Sequence, residues 1–252
     1  MKREYYKDID YKPFLFYVVF GVSGDELQVS REKHHVDKFP AGLNMQFLCR
    51  DECSEYIDGF FAGSLGDILK ESDYELFEVC KKADKCAVIR GEVEEDSTFD
   101  YLRNVIGFVQ ALVEQGACGV LDLLTFSLLD PAKWTKRFFE KEINAQNHVV
   151  ILISKEEDRY WLHTRGMAEF GRPDISIKEI KEDDLHDYKQ VIDQMIFYGG
   201  QGAFFDGNVK LHTYDRKTFM VKVEFINDFD NDDFNNAYYD VVVLDEIESI
   251  NE

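Results

Sequence analysis

Apolar residues in this chain fall into short unbroken runs and helical repeats, and their order predicts a fold. Phe14 to Val22 is a continuous run rich in aromatic and β-branched residues, which predicts a buried first strand. A Ser23-Gly24-Asp25 turn follows, then a polar amphipathic stretch to about Val36 and a break at Pro40-Ala41-Gly42. Asn44 to Cys49 fits a short strand, and Gly63 to Ala83 carries two helical patterns interrupted near Ser72 and Asp73. The centre is the clearest part. Cys86 to Val93 predicts a strand, Ser97 with Asp100 resembles a capping box, and Phe99 to Gln115 spaces Leu102, Ile106, Val109 and Leu112 along one helical face. Gly116 ends that helix, because the residue after a helix often needs a left-handed conformation that a Cβ opposes. Gly119 to Leu123 returns as a strand, so the centre spells β-α-β, with a right-handed crossover if both strands run parallel in one sheet.

Asp130-Pro131 is a strong helix start, since Asp130 can accept from the first free amides and Pro131 loses no needed donor; that helix is expected to reach about Ile143. His148 to Ser154 predicts another strand, Asp174 to Ile180 alternates like one, and Glu182 to Phe197 repeats like an amphipathic helix. Gly199, Gly200, Gly202 and Gly207 mark a mobile or tightly turned connection. Lys210 to Tyr214 and Thr218 to Ile226 read as a hairpin about Asp215-Arg216-Lys217, and Tyr238 to Leu244 as a last strand. The expectation is an α/β fold: a mixed sheet with a central β-α-β unit and a C-terminal hairpin-rich portion. We expect residues 1–252 to form a single globular domain; a sub-lobe boundary, if there is one, falls near residue 180, although no linker composition marks it.

Composition narrows the function. An apolar share of 45%, with 21 Phe and 13 Tyr, supplies enough side-chain volume to offset chain entropy, which excludes global disorder. Fifty acidic against 29 basic residues give a formal charge of −21; this repels phosphate backbones and, with no local basic patch, excludes DNA and RNA as partners. The same charge would steer a basic protein partner toward the chain. Five scattered cysteines suit a reducing cytoplasm, and the CxxxC of Cys49 and Cys53 has no further ligands to complete a zinc site. Phe14 to Val22 is too short to span a bilayer, and Glu4, Asp8 and Asp10 before it argue against a signal peptide, so no membrane association is expected.

Other motifs stop short of chemistry. Asp228, Asp230 and Asp232 open with EF-hand spacing, but Asp233 stands where that loop needs Gly and Tyr239 where it needs Glu. The glycine stretch FYGGQGAFFDG lacks the Lys-Ser/Thr ending of a phosphate-binding loop and reads as a hinge or helix terminus. No GxSxG, HExxH or CxxC occurs, and no histidine has a nearby ligand set, so neither a metal nor a cofactor is expected.

The densest polar segment is HTRGMAEFGRPD, which gathers His163, Arg165, Glu169, Arg172 and Asp174 into twelve residues after Trp161. Two guanidinium groups can hold a phosphate or carboxylate bidentately, and His163 can transfer a proton near neutral pH. The same residues suit a purely structural role, with Arg165 and Arg172 pairing with Glu169 and Asp174 and the glycines serving turns. Together with the preceding HVVILIS and DLLTFSLLDPAKW stretches, this string resembles an uncharacterised family of bacterial cytosolic proteins, over about residues 86 to 180. The resemblance implies a bacterial, intracellular origin and assigns no catalytic residue.

Two readings follow. In the first, the chain is a cytosolic interaction or regulatory module, immunity- or adaptor-like, whose acidic surface meets a basic partner. In the second, it is an enzyme or binding protein for a small anionic ligand, with Arg165 and Arg172 as anchors and His163 as acid or base, assisted by Glu169 or Asp174.

Overall fold

The computed structural model describes residues 2–23, 27–140, 142–231, 233–234 and 236–247, so Gly24 and Asp25 of the expected turn and Asp232 of the acidic loop lie outside the described residues. The fold is α/β, and the chain divides into two compact units, one spanning 14–143 and the other joining 2–13 to 144–252.

In the first unit the elements follow in the order β1 (Phe14–Phe20), α1 (Arg31–His34), β2 (Leu43–Cys49), α2 (Arg50–Gly59), α3 (Gly63–Ser72), α4 (Tyr74–Lys81) and β3 (Lys85–Glu92). They continue with α5 (Asp100–Glu114), β4 (Gly119–Asp122), β5 (Ser127–Leu129) and α6 (Pro131–Phe138). Five strands form one sheet in the order β2-β3-β1-β4-β5. The β-α-β unit exists as β3-α5-β4, but β1 inserts between its strands and pairs antiparallel with both, Val18 facing Val88 on one side and Leu121 on the other. The first strand is an unbroken apolar run because both its faces are covered. Val18 and Phe20 pack with Ile57, Phe60, Leu69 and Phe77 in a core cluster, while Tyr17 meets the fully buried Trp134 of α6 edge-on at 5.4 Å. Each large apolar side chain buried this way stabilises the fold by roughly 1.5–3 kcal/mol.

The helix ends show which local signals act. Asp130 Oδ1 accepts from the backbone N–H groups of Ala132 and Lys133, both at 2.9 Å, as a capping aspartate before Pro131 should. The Ser97–Asp100 capping box does not form: the Asp100 N–H donates to Thr98 Oγ1 at 3.2 Å, and Phe99 occupies the cap position without a side-chain bond. Helix α6 stops at Phe138, short of Ile143, and Asp73 rather than a loop separates α3 from α4 by capping the Leu76 N–H.

The second unit carries α7 (Ala145–His148), β6 (Val150–Glu156), β7 (Arg159–Arg165), β8 (Asp174–Ile180), α8 (Leu185–Gly200), β9 (Gly207–His212), β10 (Thr218–Ile226) and β11 (Tyr238–Ile247). Its six strands take the order β6-β7-β8-β11-β10-β9, antiparallel throughout except where β11 runs parallel to β8, so this sheet is mixed. The β9–β10 hairpin turns through Arg216 in a left-handed conformation at φ 63°. Helix α8 packs on β8 and β9, and Val191, Ile192, Met195, Leu162, Ile175, Ile177 and Val223 are all buried. Residue 180 lies inside this unit, at the end of a strand held by β7 on one side and β11 on the other, and the chain passes from one unit to the other at Pro13–Phe14 and at Ile143–Asn144. Among the described residues no helix is long and apolar enough to cross a membrane.

Candidate functional site

The HTRGMAEFGRPD segment is not a surface loop. His163 and Arg165 end β7, Met167–Phe170 forms a single 3-10 turn between Gly166 (φ 117°) and Gly171 (φ 59°), and Asp174 opens β8. All five candidate side chains are buried. Arg172 donates to four backbone carbonyls, those of Gly171 (2.5 Å), Gly202 (2.6 Å), Lys7 (2.7 Å) and Ala203 (3.0 Å). These donors serve the backbone in this geometry. Glu169 pairs with His148 Nδ1 at 2.7 Å in a fully enclosed contact.

Asp174 accepts from the Thr164 hydroxyl at 2.8 Å, the Asn236 amide at 2.7 Å and the Met167 N–H at 3.3 Å. Burial nonetheless pushes its carboxyl up to about 7, against the pull of those hydrogen bonds and of Arg165. The His163 ring stacks on Trp161 with centroids 4.1 Å apart and meets Phe234 edge-on at 5.6 Å. Burial lowers its pKa, and its Nδ1 has no hydrogen-bond partner among the described residues. The candidates divide: Arg172 serves the chain around Gly202 and Glu169 serves α7, whereas Asp174, bonded to Thr164 and Asn236, lies in the field of Arg165, which also acts on His163. Farther along, the Asp230 N–H donates to Asp228 in the acidic turn, and no cluster of three His, Cys, Asp or Glu suited to a metal occurs among the described residues.

What Arg172 builds is a cleft. The segment Lys2–Pro13 runs along the end of α8, where the Tyr5 N–H donates to Gln201 O and the Lys7 N–H to Gly202 O, both at 3.0 Å. Arg3 repeats the role of Arg172, donating to Phe170 O (2.7 Å), Gly200 O (3.0 Å) and Gly199 O (3.3 Å), and both guanidinium groups lie over the Tyr6 ring at 5.7 and 5.9 Å. Gly202 permits the approach: its φ is 94°, and a Cβ there would sit 2.6 Å from Tyr6 Cα. The glycine stretch is thus a helix terminus and a tight turn fixed by two arginines.

Beside this strap lies a cleft of about 820 Å³. Tyr5, Tyr6, Tyr198, Phe204 and Phe205 supply aromatic walls, Val209 and Leu211 of the sheet-edge strand β9 close one side, and Glu4, Lys7, Asp206 and Lys210 complete the lining. Tyr5 and Tyr198 meet edge-on at 5.1 Å, and Phe205 is fixed from behind by the Tyr239 hydroxyl, which accepts its N–H at 3.2 Å. The Tyr5-Tyr6 and Phe204-Phe205 pairs are visible in the chain, but nothing local says that they meet across some two hundred residues. No protein-family model, curated protein or solved structure matches this chain, so function is argued from this geometry.

Proposed function

We propose that this chain is a cytoplasmic protein-binding module whose aromatic cleft takes a basic, extended segment of a partner protein. The cleft is the observation that carries the reading: five aromatic rings line a concavity of about 820 Å³ beside an edge strand, with two acids, Glu4 and Asp206, and two lysines, Lys7 and Lys210, on its walls. Aromatic faces flanked by carboxylates favour lysine and arginine side chains through cation–π and ionic attraction. The formal charge of −21 adds long-range steering toward a basic partner and works against nucleic acid. In keeping with this reading, Arg172 of the most chemistry-rich segment is engaged in holding the strap in place.

A second reading, a small anionic ligand beside His163 and Arg165, is favoured by one observation, the buried His163 Nδ1 that has no hydrogen-bond partner among the described residues. The two readings separate by titrating fluorescent lysine- and arginine-rich peptides, matched acidic peptides and inorganic phosphate against the wild type and a Tyr5→Ala/Phe204→Ala variant. The proposal expects basic peptides to bind, more weakly as salt rises, and to lose at least about tenfold in affinity with the variant. Equal binding of acidic peptides, or undiminished binding by a folded variant, would show it to be wrong; phosphate binding that depends on Arg165 would support the second reading.

A further inference from the structure

We propose that Cys80 and Cys118 form a peroxide-responsive dithiol that closes to a disulfide. Cys80 lies in the last turn of α4 and Cys118 immediately precedes β4, and their sulfurs stand 4.0 Å apart. A disulfide bond is about 2.0 Å long, so the remaining gap is of the size a change of side-chain rotamer closes. Two glycines make the room. A Cβ at Gly119 would lie 2.4 Å from Cys80 Sγ, and one at Gly21 would lie 2.8 Å from Cys118 Sγ, so each sulfur occupies space that any other residue there would fill. The Cys118 backbone is anchored to the central strand through its N–H to Phe20 O at 2.8 Å, which presents its sulfur from a fixed base.

The two thiols are unequal in the way the chemistry needs. Cys118 is half-buried, whereas Cys80 is fully buried. The hydrogen bond between the two sulfurs holds the Cys118 thiol below its usual range and holds Cys80 above its own. Burial pushes the Cys86 thiol up to about 12, which removes it as a competitor.

In the first step the Cys118 thiolate attacks one oxygen of hydrogen peroxide. The O–O bond breaks, hydroxide leaves and takes up the proton that the Cys118 thiol released, and Cys118 becomes a sulfenic acid. Cys80 then attacks the sulfenic sulfur: the S–S bond forms, the S–O bond breaks, and the departing oxygen takes the Cys80 proton to leave as water. Two thiols lose two electrons in total, and one peroxide is reduced to two waters. The bond joins α4 to the start of β4 around β3 and α5, and the thermal midpoint of the first unit rises.

The test treats reduced full-length protein with a small excess of hydrogen peroxide, alkylates it in denaturant and maps the peptides by mass spectrometry. Five thiols are free in the reduced protein. We expect the intact mass to fall by about 2 Da before alkylation, with Cys80 and Cys118 joined in one peptide pair. Cys80→Ser should instead accumulate a sulfenic acid on Cys118 that dimedone traps, and Cys118→Ser should leave Cys80 reduced. Five alkylatable thiols after peroxide, or a bridge joining other cysteines, would overturn the proposal. The wild-type map decides it even if either variant fails to fold.

Discussion

At the scale of single residues, two buried charged groups define the second unit. Removing the Arg172 guanidinium takes away the donor it gives to the carbonyls of Lys7, Gly171, Gly202 and Ala203, of which Gly202 O keeps the Lys7 N–H. Arg172→Met should therefore cost about 3 kcal/mol or more, read from urea denaturation, and Arg172→Lys should recover only part of it because an ammonium cannot span the same fork of acceptors. Asp174 makes stability depend on pH. An unfolded Asp titrates near ~4, whereas burial pushes the folded carboxyl up to about 7, so the folded chain holds a proton in this window that the unfolded chain releases. Its contribution is full below about pH 4 and is lost as pH rises through about 7. Asp174→Asn, with no proton to titrate, should flatten this part of the profile, checked by comparing urea midpoints at about pH 5 and about pH 8. The density of His163, Arg165, Glu169, Arg172 and Asp174 was legible in the sequence, but their direction was not. A polar turn whose groups satisfy backbone carbonyls in the interior has the same composition as an exposed binding loop.

At the scale of elements, the long signals are the legible ones: the two-sided strand β1, helix α5, the Asp130-Pro131 start of α6 and the β9–β10 hairpin all follow from local pattern. Helix α2 was not legible because it presents little apolar surface and bends out of helical geometry at Cys53, where φ is −130° and ψ 31°. Strand β7 was hidden because Trp161, His163 and Arg165 occupy one face where an apolar alternation would be sought, and the register that buries them belongs to β6 and β8. Long-range bonds tie the strap to the end of α8, and the close approach at Gly202 is the place to loosen it. Gly202→Ala places a Cβ against Tyr6 at a left-handed φ, and should cost about 1–3 kcal/mol of local strain. Hydrogen exchange at the Tyr5 and Lys7 amides, which are bonded to Gln201 and Gly202, should quicken while that of β10 and β11 stays slow. Unchanged exchange at Tyr5 and Lys7 would mean that the strap does not depend on that approach.

At the scale of the whole molecule, the α/β class follows from alternating apolar runs and helical repeats, while the partition into two units does not, because strand pairing such as β8 with β11 joins residues far apart in the chain. Net charge acts at this scale too: a surplus of 21 acids over bases favours a basic partner without choosing where it would bind. In the proposed function the cleft supplies the place. The most direct test is hydrogen–deuterium exchange by mass spectrometry on the full chain, with and without a saturating lysine- and arginine-rich peptide. The account predicts protection centred on residues 4–7 and 198–211, the walls of the aromatic cleft, and little change from Trp161 to Asp174. Protection centred on Trp161 to Asp174 instead, with the cleft unchanged, would contradict it.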